Sequence, residues 1–376
     1  MLIGIDASRA NKSNKTGVEW YSWHLIQELK KITPGDGNSW VLYTNEMLKN
    51  GLEKLPEAWY EVRAHWPVGK GWTQVRLSWE LWRRPTEVFF VPAHVLPRVC
   101  PKKSVVTVHD IGFHKFPALY KPRDKAFHEW STKDIAKRAA RIITVSEFSG
   151  REISQAYGID PSRIAITYNG VDHDVYRPIA DMFEIEDKLR RYQVPKPYFL
   201  CIGRLEAKKN IVNLVRAFNL LKARRGIGDP VKLVLIGNPG FRYEEIKKEI
   251  ETSPVKQDII QLGYVPEVDL PALINAAEAL IHPSWYEGFG IPPVQAMACG
   301  CPVLSSNAAS LPEVIGPDAG LFFPPDQLEP MANCMNRILS EPELRQKLRT
   351  AGLSRAAIFT WKNTAQKTLP VLTTWN

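Results

Sequence analysis

The chain has few cysteines and arranges them in no pattern. Cys100, Cys201, Cys299, Cys301 and Cys334 are odd in number and contain no Cys-x-x-Cys pair, which argues against a disulfide framework or a zinc site and fits a reducing compartment. Long hydrophobic runs are missing as well: no uncharged stretch approaches the ~20 residues that cross a bilayer. The first residues, Met1-Leu2-Ile3-Gly4-Ile5-Asp6, pass straight into a strand-like segment without the basic start, apolar stretch and cleavage site of a secretory leader. There is no low-complexity tract to argue for disorder. A DNA-recognition helix motif and an RNA-binding signature are both lacking, so nucleic acid is not an expected partner. These absences together predict a cytoplasmic protein that folds throughout.

At 376 residues, 44% hydrophobic and 24% charged, the chain is long enough for two domains, each with its own core. Charge is spread unevenly: residues 1–178 hold 26 Lys and Arg against 19 Asp and Glu, seven of the nine net positive charges. The first half therefore expects an anionic partner. Nine of the twelve tryptophans lie there too, several interleaved with arginine in Gly71-Trp72-Thr73-Gln74-Val75-Arg76-Leu77-Ser78-Trp79-Glu80-Leu81-Trp82-Arg83-Arg84. Trp and Arg in this mixture suit the headgroup region of an anionic membrane, where each basic residue contributes about 1 kcal/mol, so peripheral attachment to the inner face of a membrane is one reading. An amphipathic helix that packs its tryptophans inward is the other.

Short β-branched runs alternate with helical patterns at residues 2–6, 40–44, 88–91, 104–109 and 141–145, the signature of a parallel sheet wrapped by helices. The series closes with a strand and turn signal over residues 163–172. A second series follows at 198–203, 231–237, 259–263, 280–283 and 302–305. The alternation predicts an α/β domain over residues 1–178 and another over 179–359. Two such sheets with strand C-termini facing would leave a cleft, the usual ligand position for open parallel sheets. In the last segment Trp361, Ala365, Leu369, Leu372 and Trp375 recur at helical spacing, with Pro370 expected to kink or interrupt the helix.

Four places carry chemistry. Ile202-Gly203-Arg204-Leu205-Glu206-Ala207-Lys208-Lys209-Asn210 leaves a strand and enters a helix; the planar fork of Arg204 and the point charge of Lys209 suit a diphosphate, although by charge alone a solvated basic loop would look the same. Gly17 opens a helix pattern after the first strand, where close backbone approach and free N–H groups could receive a phosphate or sugar oxygen. His109 and Asp110 end an apolar strand, either as site residues or as hydrogen-bonded structural ones. Residues 284–302, Ser-Trp-Tyr-Glu-Gly-Phe-Gly-Ile-Pro-Pro-Val-Gln-Ala-Met-Ala-Cys-Gly-Cys-Pro, set an acidic residue, two glycines and two prolines before an Ala/Met-rich helix, a receptor for something oxygen-rich. Asp172-His173-Asp174 is literally an Asp-x-Asp, but it follows the turn Asn169-Gly170-Val171 between the two series, and no metal is expected there.

The ordered set resembles glycosyltransferase family 4: Gly17, His109-Asp110, Ser146-Glu147-Phe148, Asn169-Gly170-Val171-Asp172, Gly203-Arg204 with Lys209, Glu287-Gly288-Phe289-Gly290 and Ser310-Leu311-Pro312-Glu313-Val314. The resemblance covers nearly the whole chain. It implies the GT-B fold, two Rossmann-like domains facing each other across a deep cleft, with a C-terminal helix of about residues 360–376 crossing back to the first domain, where Trp375 would help anchor it. It also implies a retaining transfer, without metal or other cofactor, from a nucleotide diphosphate sugar to a glycan or lipid-linked acceptor. In that scheme Gly17, Gly203, Arg204, Lys209, Val265, Glu287, Gly288, Phe289, Gly290 and Gln295 bind the donor, and His109, Arg204, Lys209 and Glu287 are catalytic. The family pattern has a second Glu where this chain has Gln295, so a non-catalytic nucleotide-sugar binding subunit is an alternative, as is a GT-B phosphorylase or epimerase. The strand end His109-Asp110-Ile111-Gly112-Phe113 looks like that of mannosyl- and rhamnosyltransferases of surface polysaccharide assembly, which favours GDP-mannose.

Overall fold

The computed structural model describes residues 1–68, 71–226 and 228–375. The chain divides into two units, one of Met1–Pro117, Pro122–Gly170 and Thr360–Asn376, the other of Ala118–Lys121 and Val171–Phe359.

The first unit is built on seven strands, β1 (Leu2–Asp6), β2 (Ser39–Thr44), β3 (Trp59–Arg63), β4 (Val88–Val91), β5 (Lys103–Thr107), β6 (Arg141–Thr144) and β7 (Ile164–Ile166), in the order β3-β2-β1-β4-β5-β6-β7. All pairings are parallel. Helices α1 (Gly17–Ile32), α2 (Ser78–Arg83), α3 (Gly112–Lys115), α4 (Pro122–Arg138) and α5 (Glu147–Tyr157) lie in the connections. Strands covered on both faces must be apolar along their whole length, and Ile3, Ile5, Phe89, Phe90, Val105 and Val106 are all buried. Edge strand β3 exposes Tyr60, Glu61 and Arg63, and this polar face hides it from a search for apolar runs.

The final helix, Trp361–Thr373, belongs to this first unit and packs on α1. It buries Trp361, Thr364, Ala365, Thr368 and Leu372, and the Trp361 ring stacks on His24 at 4.7 Å. The chain enters it past Gly170, where a Cβ would stand 2.2 Å from the Trp361 backbone nitrogen, so no larger residue fits. The expected interruption at Pro370 does not occur; the helix continues to Thr373. Pro370 gives up the N–H that would reach the Gln366 carbonyl, but only one turn follows it, and the Thr374 N–H closes that turn on the Pro370 carbonyl at 2.9 Å. Trp375 is fixed under the Arg141 guanidinium, 4.0 Å from its ring centroid.

The tryptophan–arginine segment does not pack inward as a whole. Trp72 is buried, but Trp79 is 47% and Trp82 70% exposed, with Val75 beside them at 54%. A π-helical turn over Thr73–Leu77 precedes α2, and the inward face is taken by Leu77, Ser78, Glu80 and Leu81.

The second unit has six strands, β8 (Tyr198–Ile202), β9 (Lys232–Ile236), β10 (Ile259–Gly263), β11 (Ala279–His282), β12 (Val303–Ser306) and β13 (Gly320–Phe323), parallel and in the order β10-β9-β8-β11-β12-β13. Its helices are α6 (Met182–Arg191), α7 (Ile211–Arg225), α8 (Tyr243–Glu251), α9 (Leu270–Ala276), α10 (Ile291–Ala298), α11 (Leu311–Ile315), α12 (Leu328–Ser340) and α13 (Pro342–Ala356). Phe199, Leu214, Phe218, Leu233, Leu235, Ile281 and Met335 fill a core between sheet and helices. The change of unit falls at Gly170 and Val171, before residue 178, because the following residues bond into the second unit: the Val171 N–H to Phe359 O at 3.0 Å and the Tyr176 hydroxyl to Glu267 at 3.3 Å. All five cysteines are free. Among the described residues no helix is long and apolar enough to cross a membrane.

Candidate active site

In an open parallel sheet, ligands bind beyond the strand C-termini where the strand order reverses. In the second unit that reversal lies between β8 and β11. β8 leads into Gly203 and Arg204, and β11 into Pro283 through Gly290, so two of the segments singled out in the sequence meet at one place. Asn210 ties them: its side-chain amide donates to the carbonyl of Pro283 at 3.0 Å and of Pro325 at 2.6 Å. The Trp285 N–H donates to the Lys208 carbonyl at 3.0 Å.

This bracing delivers Lys209 to Glu287. One carboxylate oxygen, Glu287 Oε1, lies 2.5 Å from Lys209 Nζ, 2.7 Å from Ser284 Oγ and 3.1 Å from His282 Nε2. The Glu287 carbonyl accepts from the Ser310 hydroxyl at 2.9 Å, and the Ser284 carbonyl from Ser306 at 2.7 Å. Burial works to raise the Glu287 pKa, but the Lys209 ammonium and the His282 hydrogen bond outweigh it and hold the carboxyl well below its usual range. Burial keeps His282 neutral, only partly opposed by Glu287, so its Nε2–H donates to the carboxylate. The result is an ionised acid with one oxygen saturated by donors on three residues, in a setting of fixed dipoles.

Arg204 is exposed and makes one long contact, from Nε to the Pro239 carbonyl at 3.5 Å; among the described residues it pairs with no carboxylate. The stem of Lys209 passes Gly203, with Cε 3.5 Å from where a Cβ would sit. Gly290 holds φ at +93° as the cap of α10, and a Cβ there would meet Leu311 Cδ2 at 2.7 Å. The Phe289 ring is buried edge-on against Phe359 at 5.4 Å, and Val265 is buried as well, so these two offer a ligand chiefly backbone. Gln295 is half-buried on α10, and among the described residues its amide has no hydrogen-bond partner.

In the first unit the reversal lies between β1 and β4. Gly17 is the first residue of α1, but the helix start already carries a carboxylate. Glu19 accepts from the Thr16 N–H at 3.3 Å and from the Thr16 hydroxyl, and pairs with Arg9 at 3.2 Å and Lys12 at 3.0 Å. Against the effect of burial, Thr16, Lys12 and Arg9 hold its pKa at about 2. Arg9 and Lys12 are thus paired with Glu19, which was not among the residues expected from the sequence, while Lys15 lies over the Trp20 ring at 5.2 Å. His109 follows β5, with its ring edge-on to Tyr21 at 4.6 Å and Nε2 3.5 Å from the Pro92 carbonyl. Desolvation brings it down to about 4, partly opposed by Pro92 and Asp110, so it is a neutral imidazole at physiological pH. Asp110 caps the next turn by accepting the Gly112 N–H at 2.9 Å. His94, past the end of β4, lies 5.2 Å from His109 between ring centroids; the strand-end rule that singled out His109 would have found it.

Asp172 accepts the Asp174 N–H at 3.0 Å in a tight turn, and His173 meets the Phe359 carbonyl at 3.3 Å. Among the described residues no three His, Cys, Asp or Glu side chains are grouped as a metal would need.

Two family models match this chain: Glycosyltransferase Family 4 over residues 16–175 and Glycosyl transferases group 1 over residues 183–355. O-antigen chain mannosyltransferase B of Escherichia coli is 34% identical over 297 residues, 78% of this chain and 76% of that protein. The chain belongs to glycosyltransferase family 4. The serotype-specific mannosyltransferase WbdA of Escherichia coli is 30% identical over 271 residues; these cover 70% of this chain but 32% of that larger protein. Sucrose-phosphate synthase from Thermosynechococcus elongatus superposes with a TM-score of 0.75 at 18% identity, covering 99% of this chain and 98% of that one. The fold of this family 4 glycosyltransferase is GT-B, two parallel-sheet α/β units with the last helix returned to the first.

Proposed function

We propose that this glycosyltransferase moves a hexose, with GDP-mannose the favoured donor, from a nucleotide diphosphate sugar to a glycan or lipid-linked acceptor in the synthesis of a surface polysaccharide or glycoconjugate, with retention of configuration. The observation that carries the reading is the pairing of Lys209 with Glu287 at the strand reversal of the second unit, beside an Arg204 that among the described residues pairs with no carboxylate. The mannose preference is supported by the relatives named as mannosyltransferases.

In this reading the bond between the sugar's anomeric carbon and the diphosphate oxygen breaks, and its electron pair leaves with the diphosphate. Arg204 and Lys209 stabilise that growing charge, a role that a divalent ion fills elsewhere. Glu287, already ionised, orients the positively charged sugar, with the backbone N–H groups of Gly288, Phe289 and Gly290 toward its hydroxyls and Gln295 toward the ribose. His109, in the first unit, is assigned the transferred sugar. The acceptor hydroxyl attacks from the leaving-group face and gives its proton to a phosphate oxygen.

The surface of Trp79 and Trp82, with Arg83 and Arg84 exposed next to them, supports attachment to an anionic membrane by the first unit. Thermal unfolding in the presence of GDP-mannose, UDP-glucose and other nucleotide sugars tests the donor. A ligand at 100 times its Kd stabilises by about 2.7 kcal/mol, and the reading fails if no nucleotide sugar raises Tm.

A further inference from the structure

We propose that the first unit carries a track for a carbohydrate chain, a run of ring side chains leading from His109 outward to Trp130, on which successive sugars of an oligosaccharide acceptor stack. The inference rests on the proposed transfer to a glycan and gives that acceptor a place.

The rings form a continuous series. From His109 the next is His94 at 5.2 Å, then His128 at 6.0 Å from His94, Phe127 at 5.9 Å from His128, and Trp130 at 5.9 Å from Phe127. The series passes from half-buried imidazoles to rings in solvent: Phe127 is 47% and Trp130 50% exposed. Neighbouring Phe113, by contrast, is buried and stacks under His128 at 5.3 Å. Phe127 and Trp130 are neighbours on one helix and leave about half of each ring in solvent, an apolar surface open to a ligand.

The inner end has an unmet polar demand. His94 Nδ1 is buried without a hydrogen-bond partner among the described residues, an arrangement that costs free energy until a ligand hydroxyl fills it. His94 and His109 follow the ends of the neighbouring strands β4 and β5, where parallel sheets receive ligands. The Ser131 hydroxyl donates to the His94 carbonyl, tying α4, which carries the outer rings, to the end of β4.

The chemistry matches a sugar chain. Burial keeps both imidazoles neutral, His94 well below its usual value and His109 at about 4. His109 spends its Nε2–H on the Pro92 carbonyl and offers a hydroxyl its Nδ1 acceptor, while the unpartnered Nδ1 of His94 offers one more hydrogen bond, both without the charge that would favour an anion. Farther out, the apolar C–H face of a pyranose lies against the negative π-face of Phe127 or Trp130.

The test titrates the native chain with methyl α-mannoside, α-linked mannobiose and α-linked mannotetraose. Affinity is expected to rise with length. Trp130→Ala should lower tetraose affinity at least about fivefold and leave methyl α-mannoside unchanged, Trp130→Phe should restore it, and His94→Ala should weaken all three. Affinity independent of length in the native chain, or an unchanged tetraose affinity in Trp130→Ala, overturns the track. GDP-mannose titrated into the same samples separates the two ideas. Donor binding without a length effect sinks the track and leaves the transfer reading standing, while loss of all nucleotide-sugar binding sinks that reading.

Discussion

Lys209→Met is the sharpest test of the pair at the strand reversal, because it keeps the apolar stem and removes only the charge. In the native chain Glu287 Oε1 takes the Lys209 ammonium at 2.5 Å, with Ser284 at 2.7 Å and His282 at 3.1 Å as neutral donors. Stripping the cation from a buried pair costs about 3–5 kcal/mol, chiefly through the charge left behind. Hydrogen bonds to a charged group are worth about 1.5–3 kcal/mol each, and two remain, so the lower end applies, about 3 kcal/mol at pH 7. The pH dependence has a definite sign. The Glu287 pKa is depressed in the folded chain, so its contribution is present above the unfolded value of about 4.3 and lost as pH falls through the folded one. The variant raises that folded pKa, so its deficit narrows as pH falls. His282, released from the Lys209 charge that helps lower its pKa, takes up a proton more readily and narrows it further. Urea unfolding at several pH values, with Glu287→Gln and the double variant, closes a double-mutant cycle. The double variant should recover at least about 1.5 kcal/mol relative to additivity, yet bind nucleotide sugar no better than Lys209→Met. Native stability in Lys209→Met at pH 7, or additivity within about 0.5 kcal/mol, would refute the electrostatic account of the site.

Gln295→Glu should tighten nucleotide binding about fivefold, since a charge-assisted hydrogen bond exceeds a neutral one by ~1 kcal/mol; weaker binding by calorimetry would remove the residue from the ribose. His109→Gln should flatten part of the acid unfolding curve. The native imidazole titrates at about 4 when folded and at about 6.5 when unfolded, so the native chain loses stability as pH falls between those values, and an unchanged slope in the variant would show that His109 is not desolvated. Exchanging Trp79 and Trp82 for Ser with Arg83 and Arg84 for Gln should abolish flotation with vesicles rich in anionic lipid at low salt, with Tm unchanged because all four side chains are exposed; equal flotation would assign membrane contact elsewhere.

What the sequence made legible follows from the range over which each interaction acts. Parallel strands buried on both faces announce themselves as apolar runs, so the positions of His109, Arg204 and Glu287 beyond strand ends could be read directly. The edge strand β3, half polar, could not. Glu19 was legible and unused: Thr16-Gly17-Val18-Glu19 is a capping box, and that pattern alone places a carboxylate on the helix start where a phosphate was expected. His282 could not be told from core, because Leu280-Ile281-His282 continues a buried strand and only the turn of Ser284 to Glu287 gives its ring a partner. The decisive contact joins residues 78 apart in the chain. No local pattern specifies that Lys209 meets a carboxylate rather than solvent. It follows from the strand order, which sets β8 beside β11 and so brings the loop after one onto the loop after the other. The motifs therefore named both residues, while their shared geometry, and with it the ionised state of Glu287, belongs to the topology.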